Sequence, residues 1–95
     1  MRFPTIHLNG TSSETLLTGY LEARAAVVVA QAALRSMEFN ARDYYPQGPD
    51  AWREASNEAV LRYQKLDDVA NDLLVIAEDI QRQAEERNER KAGRS

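Results

Sequence analysis

The sequence contains no cysteine and only one histidine, His7. Disulfides, thiolate chemistry and cysteine-based zinc sites are thereby excluded, and a lone imidazole cannot build a multi-histidine metal centre. Glycine and proline are scarce, at four and three residues, and aromatics make up 7% of the chain, which is too little turn chemistry for an all-β protein. No apolar run approaches the ~18 residues that a membrane span requires. The start, Met1-Arg2-Phe3-Pro4, lacks the apolar core of a signal peptide, so the expected location is the cytoplasm. Positive charge is also short: 12 basic against 15 acidic residues leave a net charge of −3, which argues against a grip on duplex nucleic acid. At 95 residues, one small domain fits and a large enzyme with a deep cleft does not.

A hydrophobic content of 43% is too high for a disordered chain, and with β structure disfavoured the fold class is all-α. Pro4 blocks a helix start, and Ile6-His7-Leu8 alternates, so residues 1–11 are read as an extended arm and cap that turns at Asn9-Gly10. Thr11-Ser12-Ser13-Glu14 has the form of a capping box, with Thr11 as the cap and a first helix over 12–39. Its apolar stripe is read as Leu16, Tyr20, Ala23, Val27, Ala30, Leu34 and Met37, in steps of three and four. Gly19 marks either close packing or nothing in particular. Breakers from Asn40 to Pro49 place a loop at 40–48, and Pro49 and Asp50 suit the start of a second helix over 49–89, followed by a polar tail at 90–95. The second stripe is read as Trp52, Ala55, Ala59, Arg62, Leu66, Val69, Leu73, Ile76 and Ile80.

Two such helices form a long antiparallel hairpin. Helices of about 27 and about 40 residues differ in length by roughly 20 Å at 1.5 Å per residue, so the end of the second is expected to project freely and fray. The chain also has more apolar surface than one hairpin can bury: Leu17, Leu21, Val28 and Val29 on the first helix, and Val60, Tyr63, Ala70, Leu74 and Ala77 on the second, lie off the two stripes. The hairpin is therefore expected to assemble as an oligomeric helical bundle, with an even number of copies.

Catalytic candidates are few. Glu54 with Glu58, and Asp68 with Asp72, are spaced one turn apart as metal-binding carboxylates can be, but neither pair adjoins a second on the needed face, and both are read as solvated acidic faces. Capping accounts for Ser12 and Ser13, and no metal or cofactor is expected. Of the 12 basic residues ten are arginine, the side chain that forks onto phosphate. In Arg42-Asp43-Tyr44-Tyr45, a guanidinium, a carboxylate and two phenol rings suit a nucleotide; alternatively the tyrosines plug the end of the hairpin and Arg42 pairs with Asp43. Arg62, read as a stripe position beside Ala59, must snorkel, meet a carboxylate or bind an anion. Arg24 is a second candidate of this kind. The amides at the start of the first helix, from Ser12 onward, offer a third place for an anion.

His7-Leu8-Asn9-Gly10-Thr11-Ser12, followed after a helix by Arg42-Asp43-Tyr44-Tyr45-Pro46-Gln47-Gly48, resembles the helical-hairpin domain shared by phage anti-CBASS and anti-Thoeris proteins, in its compact anti-CBASS form. The resemblance spans His7 to about Ile80. It implies a non-enzymatic sponge, typically a homohexamer, that sequesters cyclic di- or trinucleotides or cyclic ADP-ribose signals and so silences nucleotide-activated defence in the host cytosol. By motif it implies ligand contacts at Asn9, Gly10, Thr11, Arg42, Asp43, Tyr44 and Tyr45, and by analogy at Arg62. One departure is Ala59 after Glu58, where the family pattern has His, so any contact of that His is missing. The alternative reading is a helical assembly or adaptor protein of a phage particle with no small-molecule ligand.

Overall fold

A computed structural model describes residues 1–93, the side chain of Ala92 excepted; the last two residues of the polar tail lie outside them. An extended arm leads into helix α1 (Ser13–Ser36). Two single 3-10 turns (Ala41–Asp43 and Tyr45–Gln47) then lead into helix α2 (Ala51–Ala92). The two helices pack against each other as a rod of 73 × 21 × 20 Å, the expected all-helical hairpin.

The helix ends follow from local chemistry. Ser12, not Thr11, caps α1: its Oγ accepts from the Thr15 N–H at 3.1 Å and donates to the Thr15 hydroxyl at 2.8 Å. The hydroxyl–hydroxyl bond adds a partner that Thr11 lacks, and it moves the cap one residue along the chain. Near the other end the Ser36 hydroxyl donates to the Ala32 carbonyl, and Met37 leaves helical geometry with ψ 145°. Gly48 has φ +125°, a conformation that side chains avoid, and it permits the reversal into α2. Asp50 takes the cap position of α2 and pairs with Arg53 at 3.2 Å, so the helix starts after Pro49 rather than on it.

Both contact stripes keep most of the positions read from the sequence, Leu16, Tyr20, Val27 and Leu34 on α1 and Trp52, Ala55, Ala59, Leu66, Leu73, Ile76 and Ile80 on α2, and differ at a few. On α1 the less exposed positions are Ser13, Leu16, Leu17, Tyr20, Arg24, Val27, Gln31 and Leu34, while Ala23, Ala30 and Met37 face out. On α2 the inward series is Trp52, Ser56, Ala59, Tyr63, Leu66, Ala70, Leu73, Ala77, Ile80, Ala84 and Arg87, an unbroken alternation of fours and threes. Arg62 and Val69 therefore point outward, one residue and roughly 100° from the inward Tyr63 and Ala70. Alanine is the cause, because it is at ease both buried and exposed and an alanine-rich pattern does not fix the phase. Gln31, buried in the α1 stripe, donates to Asp67 Oδ1 of α2 at 3.3 Å and sets which turns face each other.

The far end of α2 is not free. At 1.5 Å per residue α2 exceeds α1 by about 27 Å, and the arm runs along the excess. The Ile6 N–H donates to Gln83 Oε1 at 2.9 Å, Gln83 Nε2 donates to the Pro4 carbonyl at 2.9 Å, and Arg87 donates to the Ile6 carbonyl at 3.0 Å. Ile80 below this clasp is fully enclosed, and Gln83, Ala84, Glu86 and Arg87 are half-buried. The expectation of a free overhang is overturned because a polar run can be covered by backbone as well as by water. Gly19, for its part, faces open space.

Asp79 supports the clasp. Its carboxyl is held below its ordinary value by hydrogen bonds from Arg82 at 2.6 Å and Gln83 at 2.8 Å. A carboxyl lowered on folding contributes stability above its unfolded value and loses it as pH falls through the lowered one. Acid titration below about pH 4 should therefore loosen the arm end first, and Asp79→Asn should flatten that phase when followed by amide resonances of residues 3–8. Ile80→Ala should cost about 3 kcal/mol of stability in chemical denaturation, as expected for truncating a fully buried aliphatic side chain.

Candidate functional site

The candidate residues fall at three stations along the rod. At the turn end, Phe39, Tyr44 and Trp52 form an aromatic cluster, with ring centroids 5.7 Å apart for Phe39–Tyr44, 4.7 Å for Phe39–Trp52 and 5.8 Å for Tyr44–Trp52. The 3-10 turn through Ala41–Asp43 folds Tyr44 back onto the hairpin, where it is half-buried; Tyr45 in the next turn is 67% exposed. The two tyrosines thus divide the two roles read for them, one plugging the hairpin and the other facing solvent. Arg42 and Asp43 are exposed, and no ion pair joins them among the described residues.

An open groove of about 830 Å³ runs from this cluster along the junction of the two helices. Tyr44 and Trp52 wall one end, Tyr63 and Val60 lie further along, and Arg35 and Arg62 are its two cations. The Arg35 guanidinium stacks over the Tyr63 ring at 4.7 Å, a cation–π contact that fixes its position without neutralising it. Arg62 pairs loosely with Glu58 at 3.5 Å, both side chains being more than 60% exposed, a contact too solvated to hold the arginine back. Arg62 therefore reaches the groove from the outer face of α2 rather than from between the helices. Arg35 did not stand out in the sequence; the signal for it is Tyr63, which the stripe on α2 shows to be inward only once the phase is known.

Midway along the rod, Arg24 occupies the α1 stripe two turns from Gln31, and its Nε is buried without a hydrogen-bond partner. The register set by Gln31 and Asp67 places it opposite the part of α2 that contains the buried Ala70 and Ala77, whose small side chains leave room for its stem.

At the arm end the turn closes with the Gly10 N–H donating to the His7 carbonyl at 3.1 Å. The imidazole lies against Gly10 so closely that a Cβ there would stand 2.7 Å from His7 Nε2. Gly10, Thr11 and Ser12 line a pocket of about 310 Å³ with His7, Arg87 and Lys91, whereas Asn9 is exposed outside it. Gln83 and Arg87 escaped the sequence reading, because the polar end of α2 resembled a solvated face. The i, i+4 spacing of Asp79, Gln83 and Arg87 was the available sign.

Within one chain the arm-end and turn-end clusters lie on opposite ends of α1, about 36 Å apart for 24 residues. Among the described residues no three acidic or histidine side chains gather as a metal site would, and no helix is long and apolar enough to cross a membrane. Comparison with protein families, curated proteins and solved structures found no match.

Trp52 is the only tryptophan and reports directly on the turn end. Tyr44→Ala should shift its emission to the red and cost about 2 kcal/mol of stability, the scale of lost aromatic burial and contact, with the helical circular dichroism retained.

Proposed function

We propose that the protein is a non-enzymatic sponge for cyclic oligonucleotide signals, cyclic di- or trinucleotides first and cyclic ADP-ribose isomers as a related class, that silences nucleotide-activated antiphage defence of the CBASS or Thoeris type. The observation that carries this reading is the groove at the turn end, where two arginines flank an aromatic wall. Guanidinium groups suit the phosphates of such a ligand, and the rings suit its bases. Arg42 and Asp43, which are exposed, and Arg24, whose Nε lacks a partner among the described residues, are further contacts in this reading. Asn9, Gly10, Thr11 and Ser12 belong to it through the sequence resemblance and through the pocket that the last three line at the arm end.

The sponge works as a homo-oligomer in this proposal, with a hexamer as the expected form. In support, only Ala55, Ala70, Ala77 and Ile80 are buried apolar residues among those described, while Leu21, Val28 and Val29 lie exposed on one side of α1. That exposed side equally favours the second reading, an assembly or adaptor protein of a phage particle.

Titration calorimetry with a panel of cyclic di- and trinucleotides separates the two. The sponge predicts a saturable heat and recovery of the intact nucleotide. Arg62→Ala and Arg35→Ala should each weaken binding about tenfold or more, the scale of one lost charge-assisted phosphate contact, without changing the assembled mass. Absence of heat with every cyclic nucleotide would favour the structural role.

A further inference from the structure

The arm is held to α2 in an unusual way. Its apolar packing is confined to Pro4 and Ile6, which are half-buried, while Met1, Phe3 and Leu8 are 68%, 42% and 89% exposed. What holds it is backbone, read by side chains: Gln83 takes the Pro4 carbonyl and the Ile6 N–H, and Arg87 takes the Ile6 carbonyl. The two repeats match in length. Four residues of helix advance about 6.0 Å and two residues of extended chain about 6.6 Å, so side chains at i and i+4 meet alternate residues of the arm running alongside.

The amide of Gln83 works in only one orientation. Its Nε2 donates both to the Pro4 carbonyl at 2.9 Å and to Asp79 Oδ2 at 2.8 Å, leaving Oε1 for the Ile6 N–H. Turned over, the amide would set its oxygen against a carbonyl and a carboxylate and its NH2 against an N–H. Asp79 therefore selects the working face, and Arg82, bonded to Asp79 at 2.6 Å and to Glu86 at 2.8 Å, keeps Asp79 in place. The pocket of about 310 Å³ has the arm residues Ile6, His7 and Leu8 on one side and Ala84, Arg87 and Lys91 on the other.

We propose that Gln83 is the positioning residue of a releasable latch: with Arg87 it fastens the arm to α2 and so builds the arm-end pocket, and its release opens that pocket while the hairpin stays intact. Segments held by few hydrogen bonds and little apolar burial open at lower free energy than the packed stripes around Ala70 and Ile80, which places the arm at the low-stability end of this molecule. The latch does not depend on what the turn-end groove binds.

Amide hydrogen exchange of the full chain tests this. In Gln83→Ala, the Ile6 amide, the one arm amide of residues 5–8 that donates a hydrogen bond among the described residues, should exchange about tenfold faster, the His7 ring resonances should shift, and the amides around Ala70 should keep their protection. If Gln83→Ala folds poorly, Gln83→Glu, which replaces the donating amide by a carboxylate facing the Pro4 carbonyl and Asp79, should give the same faster Ile6 exchange and the same His7 shift. Unchanged Ile6 exchange in the variants, or loosening of Ile6 and the Ala70 region by the same factor, would overturn the latch.

Discussion

Two helices in contact bury one stripe each, and in this chain the stripes are narrow. Among the described residues, three of the four buried apolar ones are alanines, and Ile80 is the only large side chain that is fully enclosed. Small residues let the helix axes approach, but they bring little apolar area out of water, at about 25 cal/mol per Å². Every other feature adjusts to that shortage. Aromatic rings close the turn end, where Phe39, Tyr44 and Trp52 gather the area that the alanines lack. Backbone closes the other end, where α1 runs out and the arm takes its place beside α2.

Polar residues in the stripes then carry the specificity that sparse packing leaves open. Gln31 meets Asp67 across the helices, and because its amide is buried, a slip of one turn would leave it unpaired at a cost of about 1–3 kcal/mol. An alanine stripe alone would tolerate such slips. Arg24, two turns away in the same stripe, has the opposite character, with a buried Nε that nothing in the described chain accepts. One polar residue fixes the register, and the other brings a buried N–H with no acceptor among the described residues.

The hairpin itself was legible in the sequence, from two long periodic segments around a cluster of breakers. The phase of the stripes was legible only in part. Ala23 and Ala30 scored as apolar and drew the stripe of α1 one residue away from Arg24 and Gln31, and the same one-residue error on α2 set Arg62 and Val69 in place of Tyr63 and Ala70. Periodicity reports the helix, but only side chains with a strong preference between water and interior report the face. The arm's docking was hidden for a different reason. Gln83 and Arg87 bind main-chain atoms, which have no signature in the arm's own residues, so only a spacing on α2 could have hinted at it. Among the candidate site residues, Tyr44 and Arg62 reach the turn-end groove and Gly10, Thr11 and Ser12 the arm-end pocket, but by routes that depend on the corrected phase and cap.

The distance between those two clusters constrains any function that uses both. They sit at opposite ends of α1, and a helix of 24 residues holds them about 36 Å apart. Neither helix has a break that could fold the rod and shorten this distance: α1 contains no proline, its one glycine faces open space, and α2 runs unbroken through 42 residues. A ligand of two or three nucleotides cannot bridge the ends of one chain. If residues from both motifs serve one site, the second motif must come from another copy of the chain. If they serve separate sites, each end must bind by itself, and the groove with its two arginines and four aromatic rings is the better equipped of the two.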